Sequence, residues 1–100
     1  MNPLPPTQAL LNVARRVVWF KEPAAALADP IHFLAHVMTY GSADDVAVVR
    51  DAVGPEALRE ALDHAPPGVF APRSWAYWQL MCFGRSPPPP MPQRSGVLQP

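Results

Sequence analysis

Fifteen of the 100 residues are proline, and their placement limits the possible folds more than any other feature of the chain. Proline has no backbone N–H, and its ring collides with the preceding helical turn. It therefore ends helices and is excluded from central strands. Prolines 3, 5 and 6 crowd one end, and prolines 87–90, 92 and 100 crowd the other. Between them Pro23, Pro30, Pro55, Pro66, Pro67 and Pro72 cut the chain into short pieces. The reading is a Pro-rich N-terminal segment (1–6), a helical domain (7–85) and a Pro-rich extended or disordered tail (86–100). A domain this small buries a modest core, so contact with a partner would add noticeably to its stability.

Within the domain each piece carries helix signals. Thr7 is an N-cap for "QALLNVARRVVWF", where Leu10, Leu11, Ala14, Val17 and Val18 recur at helical spacing. Pro23 disfavours helix at Glu22 and opens the short helix "PAAALAD". Asp29 caps "PIHFLAHVMTYG", with Ile31, Leu34, Val37 and Met38 as its buried stripe, widened by Phe33 and Tyr40, and Gly41 as its end. Ser42 caps "ADDVAVVRDAVG", whose Asp44 and Asp45 suit the positive end of the helix dipole and whose Val46, Val49 and Val53 face inward. Pro55 opens "PEALREALDHA", with Leu58, Ala61 and Leu62 inward. After the loop "APPGVFAPR", Arg73 or Ser74 opens a last helix, "SWAYWQLMCFG", which packs Trp75, Trp78, Leu80, Met81 and Phe83 into about three turns before Gly84. No stretch sustains strand alternation. The expected fold is all-α, a compact bundle of four to six short helices with Pro-rich extended termini. Its expected core includes Leu34, Val37, Met38, Val49, Leu58, Leu62, Trp75 and Trp78.

Formal net charge is zero, but the charges are segregated. Between Ser42 and His64 stand Asp44, Asp45, Asp51, Glu56, Glu60 and Asp63 against Arg50 and Arg59. Elsewhere Arg15, Arg16, Lys21, Arg73, Arg85 and Arg94 stand against Glu22 and Asp29. The helix–Gly-Pro–helix stretch "SADDVAVVRDAVGPEALREAL" invites comparison with DNA-binding helix pairs, yet its second helix carries Glu56, Glu60 and Asp63, which phosphates repel. Cys82 is the only cysteine, so no internal disulfide is expected and a reducing compartment fits. "MNPLPPTQ" lacks the charged and apolar regions of a signal peptide, and no apolar run reaches the ~20 residues of a membrane span. The expected location is the cytoplasm. Seven Arg against one Lys, with abundant Ala, Val and Pro, points to a GC-rich bacterial genome.

Catalytic patterns are weak. His32 and His36, spaced i, i+4, share a helix face as metal ligands do, but no glutamate follows in the hydrolase pattern. The plainer reading is two half-exposed histidines beside an apolar stripe. Cys82 lies in an aromatic helix, where a buried structural role outweighs a reactive one. Ser42 and Ser74 read as caps rather than nucleophiles. The glycines are isolated, so no phosphate loop is present. No catalytic residue and no cofactor are expected, and the chain reads as a binding protein rather than an enzyme.

The tail "RSPPPPMPQR" favours polyproline II and contains PxxPxR at Pro89, Pro92 and Arg94. It is expected to be dispensable for folding but needed for full partner affinity. Alternatives are a plain disordered tail and an arm folded back on the aromatics of the last helix.

The elements "VVWF" with a following proline, "DPIHFLAHVMTYG", "ALREALDHAPPGVF", "SWAYW" and "PPPPMP" span residues 14–94. In them the chain resembles a group of small uncharacterised bacterial proteins encoded beside nucleotidyltransferase-fold toxins of the AbiEii abortive-infection type. More loosely it is similar to a broader bacterial domain family of unknown function. "MCFGRSP" departs from the first group, which has a polar residue or lysine near Cys82. The resemblance implies an antitoxin-like protein partner acting by occlusion and brings no catalytic residues with it. Asp44, Asp45, Glu56 and Glu60 would then face a basic nucleotide or RNA channel, while Arg85, Pro89, Pro92 and Arg94 would lie along the toxin surface. A DNA-binding regulator of its own operon is the alternative, and contact with a second copy stays open.

Overall fold

A computed structural model describes residues 1–92. It contains six α-helices and, among the described residues, no strand. The helices are α1 (Gln8–Val17), α2 (Pro23–Leu27), α3 (Pro30–Tyr40), α4 (Ala43–Val53), α5 (Pro55–Asp63) and α6 (Pro72–Phe83). Four of them begin on a proline, at the position where its missing N–H costs nothing. The last of these, Pro72, starts α6 earlier than the expected Arg73 or Ser74.

Helix α3 is the hub. It touches all five other helices, whereas α4 and α6 do not touch each other. Its central position explains why Phe33, Leu34, Ala35, His36, Val37 and Met38 are buried in succession. A helix surrounded on most sides needs no polar face there. All eight core residues expected from the sequence are buried, joined by Leu10, Val13, Val18, Leu27 and Phe70 among others.

Three other large apolar residues of α3 and α6 lie outside. Tyr40 is exposed because it sits past the last packed turn of α3. Leu80 and Met81 are exposed because α6 buries one narrow face. Trp75, Trp78 and Gln79, with Cys82 half-buried beside them, follow i, i+3, i+4, i+7, which turns residues 80 and 81 outward. Within α1 the regular helix stops at Val17, so Trp19 and Phe20 leave the bundle.

Gly41 closes α3, but with φ −71° it is not in the left-handed conformation that usually selects glycine at a helix end. Its reason is close approach. A β-carbon there would lie 2.7 Å from the Val37 carbonyl oxygen and 3.3 Å from the Asp45 β-carbon. Gly41→Ala should therefore spread the α3–α4 corner and cost about 1–2 kcal/mol. Equilibrium urea unfolding reads this directly, and an unchanged midpoint would show that the corner yields freely.

Among the described residues, both proline-rich segments lie against the domain. The Leu4 N–H donates to the Leu27 carbonyl at 3.0 Å, and the Met1 amine meets Glu60 at 3.2 Å. At the other end the Trp75 indole N–H donates to the Pro89 carbonyl at 2.8 Å, and Met91 packs against the core. Residues 86–92 are thus folded back on α6 rather than free of it. A proline segment has carbonyls without matching donors, so it readily supplies the acceptor that a buried indole N–H requires.

Candidate functional site

Two surfaces stand out. The first lies where α1 leaves the bundle. Trp19 is 77 % exposed, Tyr40 65 % and Phe20 51 %. They form one aromatic and imidazole cluster. Phe20 meets Trp19 edge-on at 5.6 Å between ring centroids and His36 at 5.5 Å. His36 in turn lies 4.2 Å from His32 and 5.8 Å from Tyr40. A cavity of about 410 Å³ opens between Arg16, Val17, Trp19, Phe20, His36 and Tyr40. Large aromatics in water are costly, so this patch is a candidate contact surface.

The two histidines serve this cluster. His36 is buried, a departure from the half-exposed reading. Its Nδ1 donates to the His32 carbonyl at 3.0 Å. Burial lowers the His32 pKa below its ordinary 6.5, and the nearby His36 and Lys21 push the same way against Asp29. Among the described residues no group of three or more His, Cys, Asp or Glu side chains comes together around them.

The second surface is the gap left between α4 and α6. It is lined by Met38, Val46, Arg50, Arg73, Tyr77 and Trp78, and its volume is about 480 Å³. Trp78 forms part of its floor and is held by an indole N–H···O bond of 2.8 Å to the Met38 carbonyl.

The acidic residues singled out in the sequence are scattered in role. Asp44 is exposed. Asp45 is 5 % exposed, and its carboxylate accepts from the Arg16 guanidinium and from the Ser42 N–H, the latter at 3.2 Å. Its own N–H donates back to the Ser42 hydroxyl, completing a capping box. Glu56 pairs with Arg59 at 2.9 Å, and Glu60 with the terminal amine. Arg85 lies 4.0 Å over the Phe83 ring and donates to Gln79. Pro89 accepts from Trp75, and Pro92 is half-buried. Arg94 lies outside the described residues. Burial raises the Cys82 thiol pKa, with Arg59 opposing weakly, so this cysteine is a poor nucleophile.

Two of these groups make the fold sensitive to acid. For Asp45, burial alone would raise the pKa. The Arg16 and Ser42 bonds outweigh it and hold the carboxyl below its ordinary 3.8. The unfolded chain therefore binds this proton first, and the stabilisation present above that pH is lost as pH falls through the folded value. His32 follows the same sign at higher pH, because its lowered value makes the folded state resist protonation below 6.5. Stability should fall in two stages between pH 7 and pH 3, and Asp45→Asn should remove the lower stage. A melting temperature constant across that range would contradict both.

No family model matches this chain, and no curated protein or solved structure matches it.

Among the described residues no helix is long and apolar enough to cross a membrane. The aromatic patch was hidden in the sequence because "VVWF" reads as the end of an amphipathic helix. Its one signal was that two aromatics immediately precede "KEP", where the helix cannot continue.

Proposed function

We propose that this chain is a protein-interaction module acting by binding rather than catalysis, an antitoxin-like partner of a nucleotidyltransferase-fold toxin. The observation that carries the binding reading is the exposure of Trp19, Phe20 and Tyr40 in one contiguous cluster. Aromatic residues of this kind dominate the energetics of protein interfaces, because they bury much area with few rotatable bonds. The toxin assignment rests on the sequence resemblance. In it the partner is inhibited by occlusion, with the aromatic patch as anchor and the acidic α4–α5 face turned to the toxin's basic channel. Of the basic residues, Arg16, Lys21 and Arg85 are engaged within the chain, so a DNA-binding face would have to rest on Arg50 and Arg73, which stand beside apolar Met38, Val46 and Trp78.

Co-expression with the neighbouring gene product, followed by purification on one tag, tests the reading. The expected result is co-purification in a fixed ratio, lost in a Trp19→Ala/Phe20→Ala variant whose melting temperature is preserved. Failure of the two proteins to co-purify would sink the toxin assignment.

A further inference from the structure

The gap between α4 and α6 has a chemistry distinct from the aromatic patch. Helix α3 carries both neighbours but leaves them apart, so the cleft is built into the packing. Its floor is apolar, from Met38, Val46 and Trp78, with exposed Tyr77 on one wall. A second cavity, of about 160 Å³, shares Arg50, Tyr77 and Trp78 with the first and continues past Leu58 and Met81 to Arg59. Together they make one groove along α6. The exposed face of α6 adds Leu80 beside Arg73, Tyr77 and Met81, all at helical spacing.

The charge of this groove is one-sided. Arg50, Arg73 and Arg59 line it, and no acidic residue does. Arg59 is paired with Glu56 and donates to the Cys82 carbonyl. Arg50 and Arg73 meet no carboxylate within 4.0 Å among the described residues. Arg50 and Arg59 belong to the acid-rich stretch from Ser42 to His64, yet none of its acids lines the groove. Apolar floor, aromatic wall and unpaired guanidinium groups at the rim are the composition of a protein-binding groove. An α-helical ligand fits it by laying its apolar stripe inward and its carboxylates outward.

We propose that the α4–α6 groove binds an acidic amphipathic segment of a partner protein, with its apolar residues over Trp78 and Tyr77 and its carboxylates on Arg50 and Arg73. This deepens the reading of the chain as an interaction module and rests on it. It adds the surface and the chemistry of what occupies it.

The probe is a random 16-residue peptide library displayed on phage and selected on the full chain. Enriched sequences should carry Asp or Glu beside apolar residues spaced three and four apart. Binding of the synthesised peptides should weaken as salt rises. An Arg50→Glu/Arg73→Glu variant should weaken it by at least about tenfold, since like charges in an interface are strongly disfavoured. Because Arg50 lies in the last turn of α4, Arg50→Gln/Arg73→Gln provides a milder variant, and a melting curve of each confirms folding. Enrichment of neutral or basic peptides, no enrichment over an unrelated protein, or equal binding by the folded variants would overturn the assignment. So would a thermal shift with ATP or a short RNA that the double variant abolishes, because the groove would then belong to a nucleotide ligand. If the double variant still co-purifies with the nucleotidyltransferase, the interaction reading stands and the groove assignment alone fails.

Discussion

Trp78→Ala should unfold the domain or leave it barely stable. Two losses coincide at this residue. The ring is 7 % exposed, within a core shared by α3, α5 and α6, and removing a buried tryptophan costs about 3–5 kcal/mol. Its indole N–H also donates to the Met38 carbonyl, which lies in the last turn of α3, where no further helical N–H follows to reach it. Without the indole that acceptor is left unpaired, and an orphaned buried polar group adds about 1–3 kcal/mol. Total stability at the lower end for such a domain is about 5 kcal/mol, so the sum reaches it. Trp78→Phe separates the terms, since it keeps most of the ring and loses the donor. It should retain the helical circular dichroism signal with a reduced melting temperature, whereas Trp78→Ala should lose the cooperative transition. A Trp78→Ala protein that melts like the parent would mean the α3–α6 contact is dispensable.

The parts of the fold legible in the sequence are those fixed locally. Thr7 and Ser42 announce helix starts, and Pro23, Pro30 and Pro55 place first turns, because caps and proline geometry act over a few residues. Asp29 stands at the N-cap position of α3, but its carboxylate makes no capping bond and lies 3.9 Å from the Lys21 amine instead. Leu58, Ala61 and Leu62 could be assigned to a buried stripe since α5 has one packed side. Helix α6 could not be read this way. Its apolar residues surround it, and only the packing on α3 and α5 decides that Trp75 and Trp78 turn in while Leu80 and Met81 turn out. The candidate sites were less legible still. Asp45 reads as a first-turn acid favoured by the helix dipole, yet its partner Arg16 lies 29 residues away. Periodicity assigns Trp19 and Phe20 to no face, because it reports spacing and not where the helix stops. The groove needs α4 and α6 to be held apart, which is a property of the three-helix arrangement around α3 and of no local stretch.

Truncation after Arg85 should lower stability by about 2–3 kcal/mol, so the proline-rich arm acts on the fold before it acts on any partner. The sequence favours a dispensable tail, since residues 86–100 have no helical periodicity and few apolar side chains. The contacts of 86–92 reverse that expectation. Deleting them removes the Trp75–Pro89 hydrogen bond, worth about 1 kcal/mol net, and strips Met91 from the core edge, a loss of up to about 1.5–3 kcal/mol for a large apolar side chain if its burial were complete. The opposing gain in chain entropy is small, because four consecutive prolines have already restricted the free arm. The melting temperature should drop by roughly 10–15 °C in a domain of this size. Trp75→Phe in the full chain removes the hydrogen bond and should give at least about a third of that drop. Trp75 is itself buried and packs edge-on against Phe70 at 5.3 Å between ring centroids, so the same substitution made in the truncated chain is needed to subtract the lost indole packing and leave the hydrogen bond to the arm. A truncated chain with the parent melting temperature would return the prolines to the role of a free arm. Partner affinity measured on the same truncation, compared with Trp75→Phe, then distinguishes an arm that binds from one that only braces α6.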